Sequence, residues 1–121
     1  VLVEAASSSM SNLATAANTA AQLSGVRAVS NSYGGSESGS TSYDSFYNHL
    51  NVAMVVSSGD SGYGVQYPAS SPHVTAVGGT SLTAASNSRG WTETAWSIAM
   101  LPVDFKSIEA PAIVEIRFVL G

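Results

Sequence analysis

The sequence predicts an α/β domain in which helices cover a mainly parallel β-sheet. Three short apolar runs, residues 26–29, 52–56 and 74–77, are nearly continuous, as in strands that are buried on both faces. Apolar residues that precede two of these runs recur at helical spacing. Together the elements follow the order β-α-β-α-β-loop-β, which is typical of parallel sheets with right-handed crossovers.

The first strand and helix are predicted from the opening residues. Val1, Leu2 and Val3 form a short β-prone run, and the serines at 7–9 supply candidates for an N-cap. A narrow apolar face at i, i+3, i+4 and i+7 spacing follows, and it consists of Met10, Leu13, Ala14, Ala17, Ala20 and Ala21. Gly25 lies beyond this helix as its C′ residue.

A second helix is predicted between the strands at 26–29 and 52–56. Its apolar positions are Tyr43, Phe46, Tyr47 and Leu50, and Thr41 or Ser42 caps it. The last strand, 74–77, follows the proline-containing stretch at 67–72.

Two glycine-containing stretches follow the second and third predicted strands. They read NSYGG at 31–35 and SSGDSGYG at 57–64. Ligands of open α/β sheets bind outside the carboxyl ends of the strands. We therefore expect both stretches to lie at the same edge of the sheet.

Composition restricts the classes of partner. The 121 residues are 45% apolar, only 10% charged and carry a net charge of -4, which argues against the basic surface that nucleic acid requires. No apolar stretch approaches the roughly 20 residues of a membrane helix. The absence of Cys excludes disulfides and thiolate metal sites. We expect neither nucleic acid nor membrane as a partner, and the oligomeric state stays open.

Residue types alone leave each loop open to more than one interpretation. SSGDSGYG fits a tight turn in which Asp60 caps a neighbouring N–H, and it fits a phosphate loop poorly because no Gly-Lys-Ser/Thr follows. NSYGG fits a turn, or a strand end whose free backbone groups pair with an extended peptide.

Four longer motifs resemble the sedolisins, the acid-acting serine-carboxyl peptidases with a subtilisin-like fold. They are VEA at 3–5, SNSYGGSE at 30–37, SSGDSGYGVQYPASSPHVTAVGGTSL at 57–82 and RGWTETAWS at 89–97. The resemblance runs nearly collinearly over residues 1–97 and implies the central part of a peptidase domain. Residues 98–121 do not share it and form a divergent tail of unknown role.

The resemblance implies roles for six residues. Asp60 takes the place of the oxyanion-hole aspartic acid, which donates a hydrogen bond only while protonated. Substrate-binding positions are implied for Ser32, Tyr33, Gly34, Ser58 and Gly59. The implied partner is a protein or peptide substrate, and the implied location is extracellular or an acidic compartment. Sedolisins also carry a calcium site, whose ligands we expect outside this segment.

Other parts of the sedolisin pattern are missing from these residues. We find neither the Glu/Asp pair nor the nucleophilic serine, and Ser81 of Gly-Thr-Ser falls in a predicted strand-end stretch, not at a nucleophile position. We therefore expect a segment of a serine-carboxyl endopeptidase that is inactive alone, with no cofactor of its own. The alternative is a non-catalytic remnant that binds extended peptides. A neutral subtilase is a distant third interpretation, because an aspartic acid stands where an amide is needed.

Overall fold

The computed structural model describes residues 1–95 and the backbone of 113–117. The main sheet has five parallel strands: β1 (Leu2–Glu4), β2 (Ala28–Asn31), β3 (Ala53–Ser57), β4 (Thr75–Val77) and β7 (Ile113–Arg117). A separate antiparallel hairpin consists of β5 (Thr80–Ala84) and β6 (Trp91–Ala95). This arrangement confirms the predicted class at the level of an α/β structure with a small parallel sheet.

The one α-helix of the described residues, α1 (Met10–Gln22), matches the first predicted helix. It starts at Ser9, whose side chain accepts a hydrogen bond from the Asn12 N–H at 3.3 Å. Small side chains form its buried face, which consists of Leu13, Ala14, Ala16, Ala17, Ala20 and Ala21. Because alanine has no atoms beyond Cβ, this face lies close against the sheet.

The second predicted helix is a 3₁₀ helix, Thr41–Tyr47, and not an α-helix. A 3₁₀ helix has three residues per turn, so Tyr43 and Phe46 share a face and their ring centroids lie 6.1 Å apart. Leu50 lies beyond the helix and is 97% exposed. The prediction that Leu50 belongs to the apolar face was therefore wrong.

The sheet order is β1-β7-β2-β3-β4, so the strand from the tail lies between β1 and β2. The weak alternation at 112–120 predicts a strand there, and the structure has one at Ile113–Arg117. β2 starts and ends two residues later than the predicted run at 26–29. Residues 96–112, which include Trp96, and residues 118–121 lie outside the described part.

Among the described residues, the helices cover one face of the sheet. Val29 and Met54 pack in a buried cluster with residues of α1 and the 3₁₀ helix, and Val56 is also fully buried. On the opposite face, Ala53 and Ser57 of β3 are exposed, and Val77 of β4 is 47% exposed. The core therefore lies on the helical side of the sheet.

The β5–β6 hairpin is exposed along nearly its whole length. Its turn is held by Arg89, whose guanidinium lies 3.8 Å from the centroid of the Trp91 ring and 3.1 Å from Glu93 Oε1. Among the described residues, no helix is long and apolar enough to cross a membrane.

Candidate functional site

The two glycine-containing turns lie at one edge of the parallel sheet. β2 and β3 run parallel with Asn31 opposite Val56, so both strands end at this edge, as predicted. NSYGG leaves the end of β2, and SSGDSGYG leaves the end of β3. We call the space between residues 32–35 and 58–60 the cleft.

A short segment, Gln66 and Tyr67, joins the two turns through backbone hydrogen bonds. The Gly35 N–H donates to Tyr67 O at 2.9 Å, and the Tyr67 N–H donates back to Gly35 O at 3.0 Å. The Gln66 N–H donates to Ser58 O at 3.1 Å, and the Ser58 N–H donates to Val77 O at 2.9 Å. These bonds link the ends of β2, β3 and β4 into one edge.

The floor of the cleft is glycine, and the Gln66 side chain lies over it. A Cβ on Gly34 would lie 2.5 Å from Gln66 Oε1, and a Cβ on Gly59 would lie 3.2 Å from the same oxygen. Gly59 also has φ +107°, which L side chains rarely adopt. Both positions therefore require glycine while Gln66 keeps this conformation.

A buried polar network supports the NSYGG turn from below. Asn31 is 1% exposed, and its Nδ2 donates to Val55 O at 3.1 Å. Tyr33 Oη lies 3.1 Å from Asn31 Oδ1 and 3.2 Å from Tyr47 Oη. The hydroxyl of Tyr33 therefore points into the core, where its hydrogen bonds are made within the fold.

Burial keeps three tyrosines of this region neutral. Desolvation raises the pKa of Tyr33, and the nearby Tyr47 adds to the rise. Burial also raises the pKa of Tyr47, although its hydrogen bond with Tyr33 acts in the opposite direction. The pKa of Tyr67 is raised by burial and by the neighbouring Asp44. These three hydroxyl groups therefore do not act as bases near neutral pH, and those of Tyr33 and Tyr47 form hydrogen bonds within the fold.

Three buried polar atoms have no hydrogen-bond partner within the described part of the chain. They are Asp44 Oδ1, Tyr67 Oη and Ser70 Oγ. Tyr67 itself is fully buried and packs edge-on against Tyr47, with ring centroids 6.1 Å apart. Tyr67 therefore contributes aromatic packing, and its hydroxyl forms no hydrogen bond within the described residues.

The six predicted site residues occupy the two sides of the cleft. Ser32 and Gly34 are exposed, whereas Tyr33 is half-buried. Across from them, Asp60 is exposed one residue beyond Gly59. The N–H and C=O of Ser58 are both used within the fold, so only its side chain is free to contact a ligand.

Two residues that position the site were not predicted from the sequence. Gln66 touches both glycines of the floor, and Tyr67 pairs with Gly35. The available signal was Tyr67-Pro68-Ala69, an apolar stretch directly after a polar loop, and all three of these residues are buried. Nothing in the sequence indicates which loop this stretch contacts.

The described residues do not fit a metal site. They contain no group of three or more His, Cys, Asp or Glu side chains that could hold a metal ion. Calcium takes six to eight oxygen ligands, usually including several carboxylates. No step is therefore assigned to a metal in this region.

Comparison with known proteins adds no further constraint: no family model, no curated protein and no solved structure matches the chain.

Proposed function

We propose that this chain supplies the substrate-binding cleft and the oxyanion donor of an acid-acting serine-carboxyl endopeptidase of the sedolisin type. The observation that carries the proposal is the position of Asp60. It is exposed and follows the carboxyl end of β3, at the edge of the parallel sheet where β2 also ends. Under this proposal, residues 1–97 belong to a subtilisin-like peptidase domain and act outside the cell or in an acidic compartment.

The chemistry assigned to Asp60 is hydrogen-bond donation. Attack on a peptide carbonyl turns its oxygen into an oxyanion, and a positioned donor stabilises that charge in the transition state. A carboxyl group donates only while protonated, and an ionised one repels the oxygen. The proposed activity is therefore confined to acid.

Backbone pairing is the role assigned to the opposite side of the cleft. The backbone hydrogen bonds of the described residues that lie outside helices and strands include none to Ser32, Tyr33 or Gly34. An extended peptide that lies along these residues adds a strand to the turn, and its main chain supplies the affinity. The peptide carbonyl then faces Asp60 across the cleft.

The test uses the full 121-residue chain and a labelled extended peptide that is capped at both ends and uncharged. We expect its affinity, measured by fluorescence anisotropy, to be about tenfold higher at about pH 3 than at about pH 7, because only protonated Asp60 donates to the peptide carbonyl. Asp60→Asn keeps a neutral donor at every pH, so its affinity should be the same at both.

The matched control is Glu37→Gln, which removes an exposed carboxylate from the neighbouring loop. This variant should keep the pH dependence of the wild type. A pH dependence that persists in Asp60→Asn would show that another group controls binding, and the assignment of Asp60 would be wrong.

A second candidate function is that of a non-catalytic module that binds extended peptides. The observation in its favour is that the cleft provides backbone and donor groups, while Ser81 lies in β5 and not at the cleft. Sequencing the coding nucleic acid on both sides of residues 97–101, in all frames, separates the two. A Glu/Asp pair upstream and a Gly-Thr-Ser downstream support the peptidase, and their absence supports the binding module.

A further inference from the structure

The side chain of Gln66 faces the cleft because successive side chains of its extended segment point to opposite sides. Tyr67 pairs with Gly35 in an antiparallel bridge and is fully buried. Consecutive side chains of an extended segment point to opposite sides. Gln66 therefore points away from the core, toward the glycine floor, and it is exposed.

Contact with Gln66 is closest at Gly34. A Cβ at this position would lie 2.5 Å from Gln66 Oε1 and 2.9 Å from Gln66 Cβ. Gly34 is not among the glycines with positive φ, so space and not backbone conformation excludes a side chain there. At the neighbouring Gly35 the nearest atom is Met10 Cε at 3.7 Å, an ordinary contact. The crowding is therefore local to the floor beneath Gln66.

Gln66 also spans both sides of the cleft. Its Cγ, Cδ and Oε1 all lie within 3.3 Å of a Cβ built on Gly59, the residue before Asp60. Its backbone is fixed by the bond to Ser58 O, whereas its side chain makes no hydrogen bond within the described part of the chain. The main chain thus holds Gln66 in place, and the carboxamide is the movable group over the floor.

From this placement we infer that Gln66 is a specificity-determining residue, which limits the size of the ligand side chain that can enter the cleft over Gly34 and Gly59. This inference rests on the proposed function, in which the cleft holds an extended peptide. A ligand side chain directed at the floor occupies the same space as the Gln66 carboxamide. A leucine needs more of this space than an alanine does, so it must displace the carboxamide further.

The experiment measures which peptide positions tolerate a large side chain. Capped, uncharged alanine-rich peptides that carry a single leucine at each position in turn are titrated, at about pH 3, against the full chain. For the wild type we expect weaker binding when leucine occupies one particular position. Gln66→Ala removes every side-chain atom beyond Cβ. The affinity for that leucine peptide, divided by the affinity for the all-alanine peptide, should therefore be about tenfold higher in Gln66→Ala than in the wild type. Gln66→Asn, which is one methylene shorter, should give a smaller improvement.

Gln22→Ala is the matched control, because Gln22 is an exposed glutamine at the end of α1 and is remote in sequence from the cleft. It should leave the leucine profile unchanged. Far-ultraviolet circular dichroism checks that each variant is folded, and Gln66→Asn provides the test if Gln66→Ala is not.

The outcomes separate the two proposals. If the wild type binds peptides and both Gln66 variants have the same leucine profile as the wild type, the inference about Gln66 is wrong and the proposed function stands. If Gln66→Ala binds peptides that the wild type does not, Gln66 restricts access to the cleft as inferred. If neither binds any peptide, both proposals are wrong.

Discussion

At the scale of single residues, Asn31 and Tyr33 connect the core to the cleft. Asn31 ends β2, and its buried amide bridges to Val55 O of β3. Its oxygen lies 3.1 Å from Tyr33 Oη, which also approaches Tyr47 Oη and Leu13 O, the latter at 3.4 Å. A buried polar network that is satisfied in this way fixes one arrangement of its members. This network therefore fixes, from the core side, the turn that carries the proposed peptide-binding backbone.

The hydroxyls of Tyr33 and Tyr67 differ in their hydrogen-bond partners. We therefore expect their removal to change the free energy of unfolding by different amounts. Tyr33→Phe leaves Asn31 Oδ1 without its partner, while Tyr47 Oη keeps only Met10 Sδ at 4.0 Å, so the free energy of unfolding should fall by about 1–2 kcal/mol. Tyr67→Phe removes a buried hydroxyl that has no partner within the described part of the chain, so the change should be within about 0.5 kcal/mol or stabilising.

Urea denaturation of both variants, followed by circular dichroism, measures these changes. Each substitution keeps the aromatic ring, so the comparison isolates the hydroxyl. Equal costs at the two positions would show that Tyr67 Oη has a partner or that the Tyr33 network contributes nothing.

At the scale of elements, α1 shows how composition sets the distance between layers. Its buried face contains five alanines, and α1 packs against both the sheet and the 3₁₀ helix. Small residues let the helix approach closely, and the larger side chains Val29 and Met54 of the sheet fill the interface. The helix contributes little apolar area of its own, which makes its terminal hydrogen bonds more important.

The N-cap of α1 provides a test of that dependence. Ser9→Ala removes the acceptor for the Asn12 N–H and should destabilise the protein by about 1 kcal/mol. Ser8→Ala is the control, because Ser8 is exposed and its side chain makes no hydrogen bond within the described residues. The thermal unfolding midpoint should fall for Ser9→Ala and stay the same for Ser8→Ala; equal midpoints would mean that another group caps the helix.

At the scale of the whole molecule, the three buried tyrosines couple stability to alkaline pH. Their folded-state pKa values are raised above the unfolded value of about 10. Above that value the unfolded chain loses tyrosine protons that the folded chain keeps, so the folded state binds more protons and its stability falls as pH rises. Below the unfolded pKa, this contribution does not change with pH.

We expect the free energy of unfolding to decline above about pH 10 by up to about 1.4 kcal/mol per pH unit for each of these tyrosines. Chemical denaturation at a series of alkaline pH values measures the slope. Tyr47→Phe should reduce it, whereas Tyr63→Phe, at a side chain that is 105% exposed, should not. A slope that is unchanged in Tyr47→Phe would contradict this origin of the alkaline sensitivity.

Within the described part of the chain, the two faces of the sheet are covered unevenly. Parallel sheets normally have both faces covered, yet here Ala53, Ser57 and Val77 are exposed opposite the helices. The carboxyl edge nevertheless has its own backbone links through Gln66 and Tyr67. The geometry of the cleft therefore depends mainly on residues of the well-covered side and of the edge itself.

Local patterns determined much of this structure. The serine cap and the alanine periodicity define α1, and the apolar runs define β2, β3 and β4 to within two residues, because both signals act over a few neighbouring positions. Parallel order alone placed both glycine turns at one edge. The 3₁₀ form of Thr41–Tyr47 was not predicted, since the spacing of Tyr43 and Phe46 suits either helix type.

Only the tertiary structure decided which residues contact one another at that edge of the sheet. The contact of Gln66 with Gly34 joins residues that lie far apart in sequence, and no periodicity encodes such a pairing. The inward direction of the Tyr33 hydroxyl depends likewise on Asn31 and Tyr47. The sequence by itself thus determined the elements and the edge at which a ligand is expected, whereas long-range packing decided which residues meet at that edge and which of their hydrogen-bonding groups are used within the fold.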